Sequence, residues 1–224
     1  MTPVKEIGEC SITVGDRDYF FRPSLTAMTR IGEPDEIVQA FYDLHNNEVS
    51  SLLQRGVNAY GFVPDWLLKF AHQPQVIKRS MLAAISVIQA CCDEDTSLLT
   101  GEIIPGKSGK WAFVYRKGVM SAFEMIVIAQ SLIVHGVIGK AKVRRLQKHE
   151  TGEATTEFRA FDYVSAARHH FSMPRNEAEQ LTMTEFQLML AAKYPDQKGY
   201  TREEYEASAD DFFARRKRRL AKLV

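Results

Sequence analysis

The residues that most constrain this chain run from Ala122 to Val134, where only Glu124, Gln130 and Ser131 are polar. Ser121 and Glu124 stand at the spacing of a capping box, in which each side chain satisfies a free amide of the first turn. The run therefore reads as a helix through about His135. Phe123, Met125, Ile126, Val127, Ile128, Leu132, Ile133 and Val134 wrap most of its circumference. A helix that is apolar all round is buried, so this one is expected at the centre of a core. It is too short for a membrane span, reaching about 20 Å against a hydrocarbon layer of roughly 30 Å.

The other segments supply what packs around it. Pro34, with Asp35 and Glu36 in the first turn, opens a helix to about His45. Asn46 to Asn58 is ambiguous, and Pro64 starts a short helix. Gln75 to Cys92 reads as an amphipathic helix with Ile77, Met81, Ile85, Ile88 and Cys92 on one face. Ser11 to Val14 alternates, Gly15-Asp16 turns, and Tyr19-Phe20-Phe21 returns as a hairpin. Ile103-Ile104 and Trp111 to Tyr115 flank a Pro105-to-Gly109 turn as a second hairpin. Phe158 to Phe171 is helical with Phe161, Val164 and Arg168 on one side. Pro174 starts a short helix to about Gln180, Thr182 and Glu185 cap a helix to Lys193, and Thr201 and Glu204 cap a last one. The expected fold is mainly α (α+β), a helical bundle with an N-terminal β-hairpin and a small central β-hairpin. The polar stretch Glu150–Thr156 is the candidate linker between a front, 1–149, and a helical extension, 157–224; a single domain is the other arrangement.

Composition excludes several classes. With 224 residues the chain can bury a core without staples, and 45% hydrophobic against 25% charged residues is globular rather than disordered. Its formal net charge of +1 gives no overall basic footprint for nucleic acid. That total hides a block: Arg215 to Val224 holds six Lys/Arg and no acid, and 29 Lys+Arg less those six leaves 23 against 28 Asp+Glu, or −5. A second basic run spans Lys140 to Lys148. Three cysteines, two of them adjacent, make no disulfide framework. No signal peptide is read at the N-terminus, and a reducing cytoplasm is the expected compartment.

Gly101 to Ser108 matches the phosphate-binding pattern G-x-x-x-x-G-K-[ST]. That chemistry needs a buried strand before the loop and a helix after it. Here a polar stretch precedes it and a strand-like segment follows, so a hairpin turn is expected. Cys91-Cys92 lacks the second ligand pair of a zinc site, and His169-His170 point about 100° apart on a helix. No catalytic residue, metal ligand or cofactor site is assigned. The candidates for partner contact are Phe186, Leu188, Met189 and Leu190, which could anchor a helix in an apolar groove; the alternative is that they pack against the preceding helix. Arg215, Arg216, Arg218 and Arg219 are the second candidate group, read as a solvated helix end, a protein contact or, less readily, a phosphate contact.

Three segments together resemble a known family. Phe21-Arg22-Pro23-Ser24-Leu25-Thr26-Ala27-Met28-Thr29-Arg30-Ile31-Gly32 resembles the opening of the tail assembly chaperones of long-tailed phages. Phe171 to Pro195, with Thr182-Met183-Thr184-Glu185-Phe186 opening a helix after a short one, resembles the downstream part of tail assembly and minor tail proteins. Cys91-Cys92 and Val134 to Lys140 resemble an uncharacterised phage family encoded among tail genes. The resemblance implies a non-enzymatic chaperone that binds the tape measure protein and helps recruit tail tube subunits. It implies action in the cytoplasm of the infected bacterium and absence from the mature virion. Homo-oligomers are compatible with it and a membrane role is not. The alternatives are a minor structural tail protein and, more weakly, a nucleic-acid-binding protein using the basic C-terminal helix.

Overall fold

The computed structural model describes residues 2–45, 48–71, 74–106, 113–141 and 156–194. Among these the chain is mainly helical with two separate two-stranded antiparallel sheets. In order they are β1 (Cys10–Val14), β2 (Arg17–Phe21), α1 (Leu25–Thr29), α2 (Pro34–His45), α3 (Glu48–Tyr60), α4 (Asp65–Ala71) and α5 (Pro74–Cys91). Then follow α6 (Ser97–Thr100), β3 (Glu102–Pro105), β4 (Phe113–Arg116), α7 (Ala122–Ile133), α8 (Ala160–Phe171), α9 (Arg175–Gln180) and α10 (Met183–Lys193). A mainly α chain with an N-terminal and a central hairpin is what the sequence implied.

Helix α7 starts as its capping box requires: Glu124 N–H donates to Ser121 Oγ at 3.3 Å, and Ser121 N–H donates to Glu124 Oε2 at 2.8 Å. It packs chiefly on α5, and α2 lies against both. Gln130 on α7 donates to the Leu44 carbonyl at 2.7 Å, tying off the end of α2. Met125, Ala129, Leu132 and Ile133 of α7 are buried with Ala84, Val87, Ile88 and Cys91 of α5 and Ile37 and Leu44 of α2.

Two expectations about these faces change. Burial of α7 is not all round: Phe123 is 65% exposed and Val127 is exposed too. They stand four residues apart and so share an outer stripe. On α5 the deepest line is Ala84, Val87, Ile88 and Cys91, while Ile77, Met81 and Ile85 sit half-buried at its rim. Alanines let α7 approach closely, which turns the larger side chains to the margin of the interface.

The first hairpin is set by its loop. Val14 pairs with Arg17, leaving Gly15-Asp16 as a two-residue turn. Gly15 has φ 61° and Asp16 does not share the positive sign, as in a type II′ turn. Tyr19 and Phe21 face the core, and Phe21 bridges to Cys92. The next residues form a junction. Ser24 caps α1 by accepting from Ala27 N–H at 3.1 Å. Leu25 N–H donates to the Leu181 carbonyl, and Ser24 bridges to Thr182. Arg22 donates to Glu9 at 2.6 Å, to the Gln180 carbonyl at 2.9 Å and to Glu185 at 3.0 Å.

Helices α8 and α9 lie against α1. The buried line of α8 is Ala160, Val164 and Ala167, preceded by Phe158. Phe161, expected beside Val164, points outward instead, 6.0 Å from the Arg175 guanidinium. Residues 160, 164 and 167 follow the helical period, and 161 lies one step round from them. Pro174 precedes α9, and the Thr182–Glu185 capping box opens α10. By its contacts the chain divides into Met1–Leu190 and Ala191–Val224. The linker residues 150–155 and the helix expected after Thr201 lie outside the described residues.

Candidate protein-interaction surface

The four apolar candidates on α10 have different fates. Phe186 is buried, with the Tyr163 ring at 5.9 Å and the Phe171 ring at 6.2 Å, both edge-on. Met189 and Leu190 are half-buried against the same core. Leu188 alone is exposed. The core alternative thus accounts for Phe186, and Leu188 is left on the surface. Arg215, Arg216, Arg218 and Arg219 lie outside the described residues.

The phosphate-loop match opens in strand, not before a helix. Glu102 to Pro105 are β3, paired residue by residue with β4, where a nucleotide fold would place the open loop that cradles phosphates. Lys107 and Ser108 lie outside the described residues. Cys91 and Cys92 close α5 within the core, and burial pushes the thiols of Cys10, Cys91 and Cys92 up, that of Cys10 to about 11. They are held as thiols, the poorly nucleophilic form. Among the described residues no three His, Cys, Asp or Glu side chains gather as metal ligands would.

The surface that sequence reading missed is the second hairpin. Its base is pinned. Tyr115 donates its hydroxyl to the Thr100 carbonyl, Val119 N–H reaches Leu98 and Met120 N–H reaches Leu99. Gly101 (φ +83°) and Gly118 approach so closely that a β-carbon on either would fall 2.3 Å from a backbone oxygen. Beyond that base, among the described residues, no further strand joins the strand pair. Ile103 (58%), Phe113 (69%), Val114 and, beside them, Leu98 and Val119 are exposed. An open cleft of about 340 Å³ lies between Leu98, Val119 and the Glu102–Arg116 ion pair. A second exposed group, Val57, Tyr60, Phe62 and Trp66, sits at the α3–α4 corner. Scattered apolar residues are ordinary on a surface, but clusters of large ones mark sites that meet another chain, a membrane or a ligand. The signal was present as Ile-Ile and Phe-Val-Tyr; reading those runs as β left open whether anything would cover them.

Opposite the hairpin in sequence, a short π-helical turn, Val134–Ile138, extends α7 and ends at Gly139. It is locked to α10: His135 Nδ1 lies 2.8 Å from Thr184 Oγ1, Lys140 N–H donates to that hydroxyl at 3.1 Å, and Gln187 donates to the Ile138 carbonyl at 2.6 Å. Burial, with Lys140 adding to it, holds the His135 pKa below the ordinary imidazole value. A lowered histidine pKa means the unfolded chain binds the extra proton first, so stability is full above the ordinary value and falls as pH drops through it. Urea midpoints are expected to decline from pH 7 to pH 5, and a His135→Gln variant to lose that part of the decline.

The family comparison can now be placed on this geometry. A family model described as "Family of unknown function (DUF6246)" matches residues 21–207. The chain belongs to that family. The DUF6246 match takes in the Arg22 junction, both exposed clusters and α10, and it stops short of Arg215. No curated protein and no solved structure matches the chain.

Proposed function

We propose that this DUF6246 protein is a non-enzymatic tail assembly chaperone of a long-tailed phage, binding the tape measure protein and helping tail tube subunits gather on it. The observation that carries the reading is the pair of exposed apolar clusters, Ile103–Phe113–Val114 and Tyr60–Phe62–Trp66. A chaperone for an apolar, helix-rich client needs such surface, and aromatic residues give it area at low conformational cost. Among the described residues no helix is long and apolar enough to cross a membrane. The resemblance of Phe21 to Gly32 and of Phe171 to Pro195 to tail assembly proteins names the client.

Co-expression tests this directly. The tape measure protein is expected to stay soluble and co-purify with the chain. A Phe62→Ser/Trp66→Ser variant is expected to lose most of that capture while keeping its helical circular dichroism. Truncation after Tyr194 spares every element described above and reports on residues 195–224, the Arg215–Arg219 run among them. Stoichiometric copies of the chain in purified tails would reject the chaperone reading in favour of a minor structural tail protein.

A further inference from the structure

We infer that the outer edge of β4 is the seam of a homodimer, in which β4 pairs antiparallel with β4 of a second copy about a two-fold axis at Val114. The inference takes the backbone edge of the hairpin for self-pairing and leaves the faces of its strands to the client of the proposed function.

Start from the backbone groups. The hairpin is a two-stranded sheet, and among the described residues no third strand joins it. Isolated two-stranded hairpins are marginal in water, and a free edge is a template for pairing. The two edges are unequal. On β3, Pro105 has no N–H to offer, which blunts that side. Pro105 stands opposite Phe113, and Ile104 opposite Val114. Doubly bonded pairs alternate along an antiparallel ladder, and a pair containing proline cannot be one of them. Glu102–Arg116 and Ile104–Val114 are therefore the bonded pairs, and the amides of Phe113 and Tyr115 turn outward from β4. Two-fold pairing of two such edges satisfies them mutually, Phe113 against the second copy's Tyr115 and Tyr115 against the second copy's Phe113.

The side chains select the same register. Residues opposite one another share a face, so one face of the hairpin carries Ile103, Pro105, Phe113 and Tyr115 and no charge. The other carries Ile104 and Val114 beside the Glu102–Arg116 ion pair. Pairing Phe113 with Tyr115 continues the uncharged face across both copies and sets two aromatic cross-strand pairs on it. A slip of one residue would set Arg116 against Phe113 on that face. The occupant is accordingly a second copy: the chain's own β4 already has the alternation that a foreign strand would have to match. The hairpin offers apolar area on the order of 300 Å² per copy, against roughly 800 Å² per side in stable complexes, so the dimer is weak and concentration-dependent.

Sedimentation and light scattering of the full chain, from about 1 to about 200 µM, are the test, since micromolar affinity is the expected class. The mass is expected to climb from 25.4 kDa toward twice that value. Phe113→Pro removes an outward amide and is expected to keep the mass at one chain with unchanged helical circular dichroism. Val114→Cys places a thiol opposite its own copy at a non-bonded position, where α-carbons are about 4.5 Å apart and within disulfide reach. With oxidised glutathione it is expected to give a covalent dimer in high yield, and Arg116→Cys little. A single-chain mass at every concentration, or equal cross-linking at 114 and 116, would overturn the proposal. So would a monomer whose β4 edge captures a foreign strand peptide.

Discussion

Replacing Arg22 with alanine is expected to lower the unfolding free energy by about 2–3 kcal/mol, the largest loss from any single charged side chain described here. The reason is Glu9. It is 5% exposed and receives the Arg22 guanidinium at 2.6 Å and the Val4 amide at 2.9 Å. Removing the arginine leaves that carboxylate buried with one remaining donor, and a buried charge stripped of its partner costs far more than the pair contributed. The figure sits below that of a fully buried pair because Arg22 itself is about one-third exposed, at 32%. The same substitution releases the Gln180 carbonyl and Glu185, whose carboxylate also closes the α10 capping box. Urea denaturation measures the loss. Arg22→Lys is expected to recover part of it, since one ammonium cannot reproduce the planar fork that reaches two carboxylates and a carbonyl. In the double variant Arg22→Met/Glu9→Gln no charge is left unpaired at position 9, only the more exposed Glu185 loses its cation, and stability is expected to return most of the way. A double variant as unstable as Arg22→Ala would show that the buried carboxylate is not the cause.

Gly8→Ala is expected to cost about 3 kcal/mol, from two additive sources. Gly8 lies at φ +92°, where an L side chain is strained. Its added β-carbon would stand 2.4 Å from Cβ of His135, an atom fixed by the π-helical backbone and unable to swing aside. Gly15→Ala is the control. It has φ +61° and nothing within 4 Å of the added carbon, so it carries the strain without the collision and is expected to cost about 1 kcal/mol. Equal losses at the two positions would mean that the contact between the N-terminal turn and His135 is looser than described.

How much of this was legible beforehand differs from element to element. Helix α2 begins at Pro34 and ends at His45, as proline in the first turn and an acidic start imply. The capping boxes at Ser121–Glu124 and Thr182–Glu185, and the Gly15-Asp16 turn, were readable because each is local, closed by residues two to three apart. Side-chain burial was less readable. Phe123 and Phe161 look like core in one dimension, yet both face outward, since the direction a helix turns depends on where its neighbours lie. Phe186 looked like a partner contact and is an aromatic core residue, held edge-on by Tyr163 and Phe171. The candidate surface was the least legible part. Ile103, Phe113 and Val114 predict a strand equally well whether a layer covers them or not.

The sequence by itself determined the class of most local elements, though Asn46 to Asn58, which holds most of α3, stayed ambiguous. It determined where the capped helices begin, where the first hairpin turns, and that Gly101 to Ser108 opens into a strand instead of a phosphate cradle. Short-range hydrogen bonds and dihedral preferences decide those. Only the tertiary structure decided that Arg22 joins residues from both ends of the compact unit, and that α8 and α9 close on α1. It alone decided that, among the described residues, the apolar side chains of the central hairpin stand exposed. Those outcomes depend on which surfaces meet across long stretches of chain, and no local preference encodes the meeting.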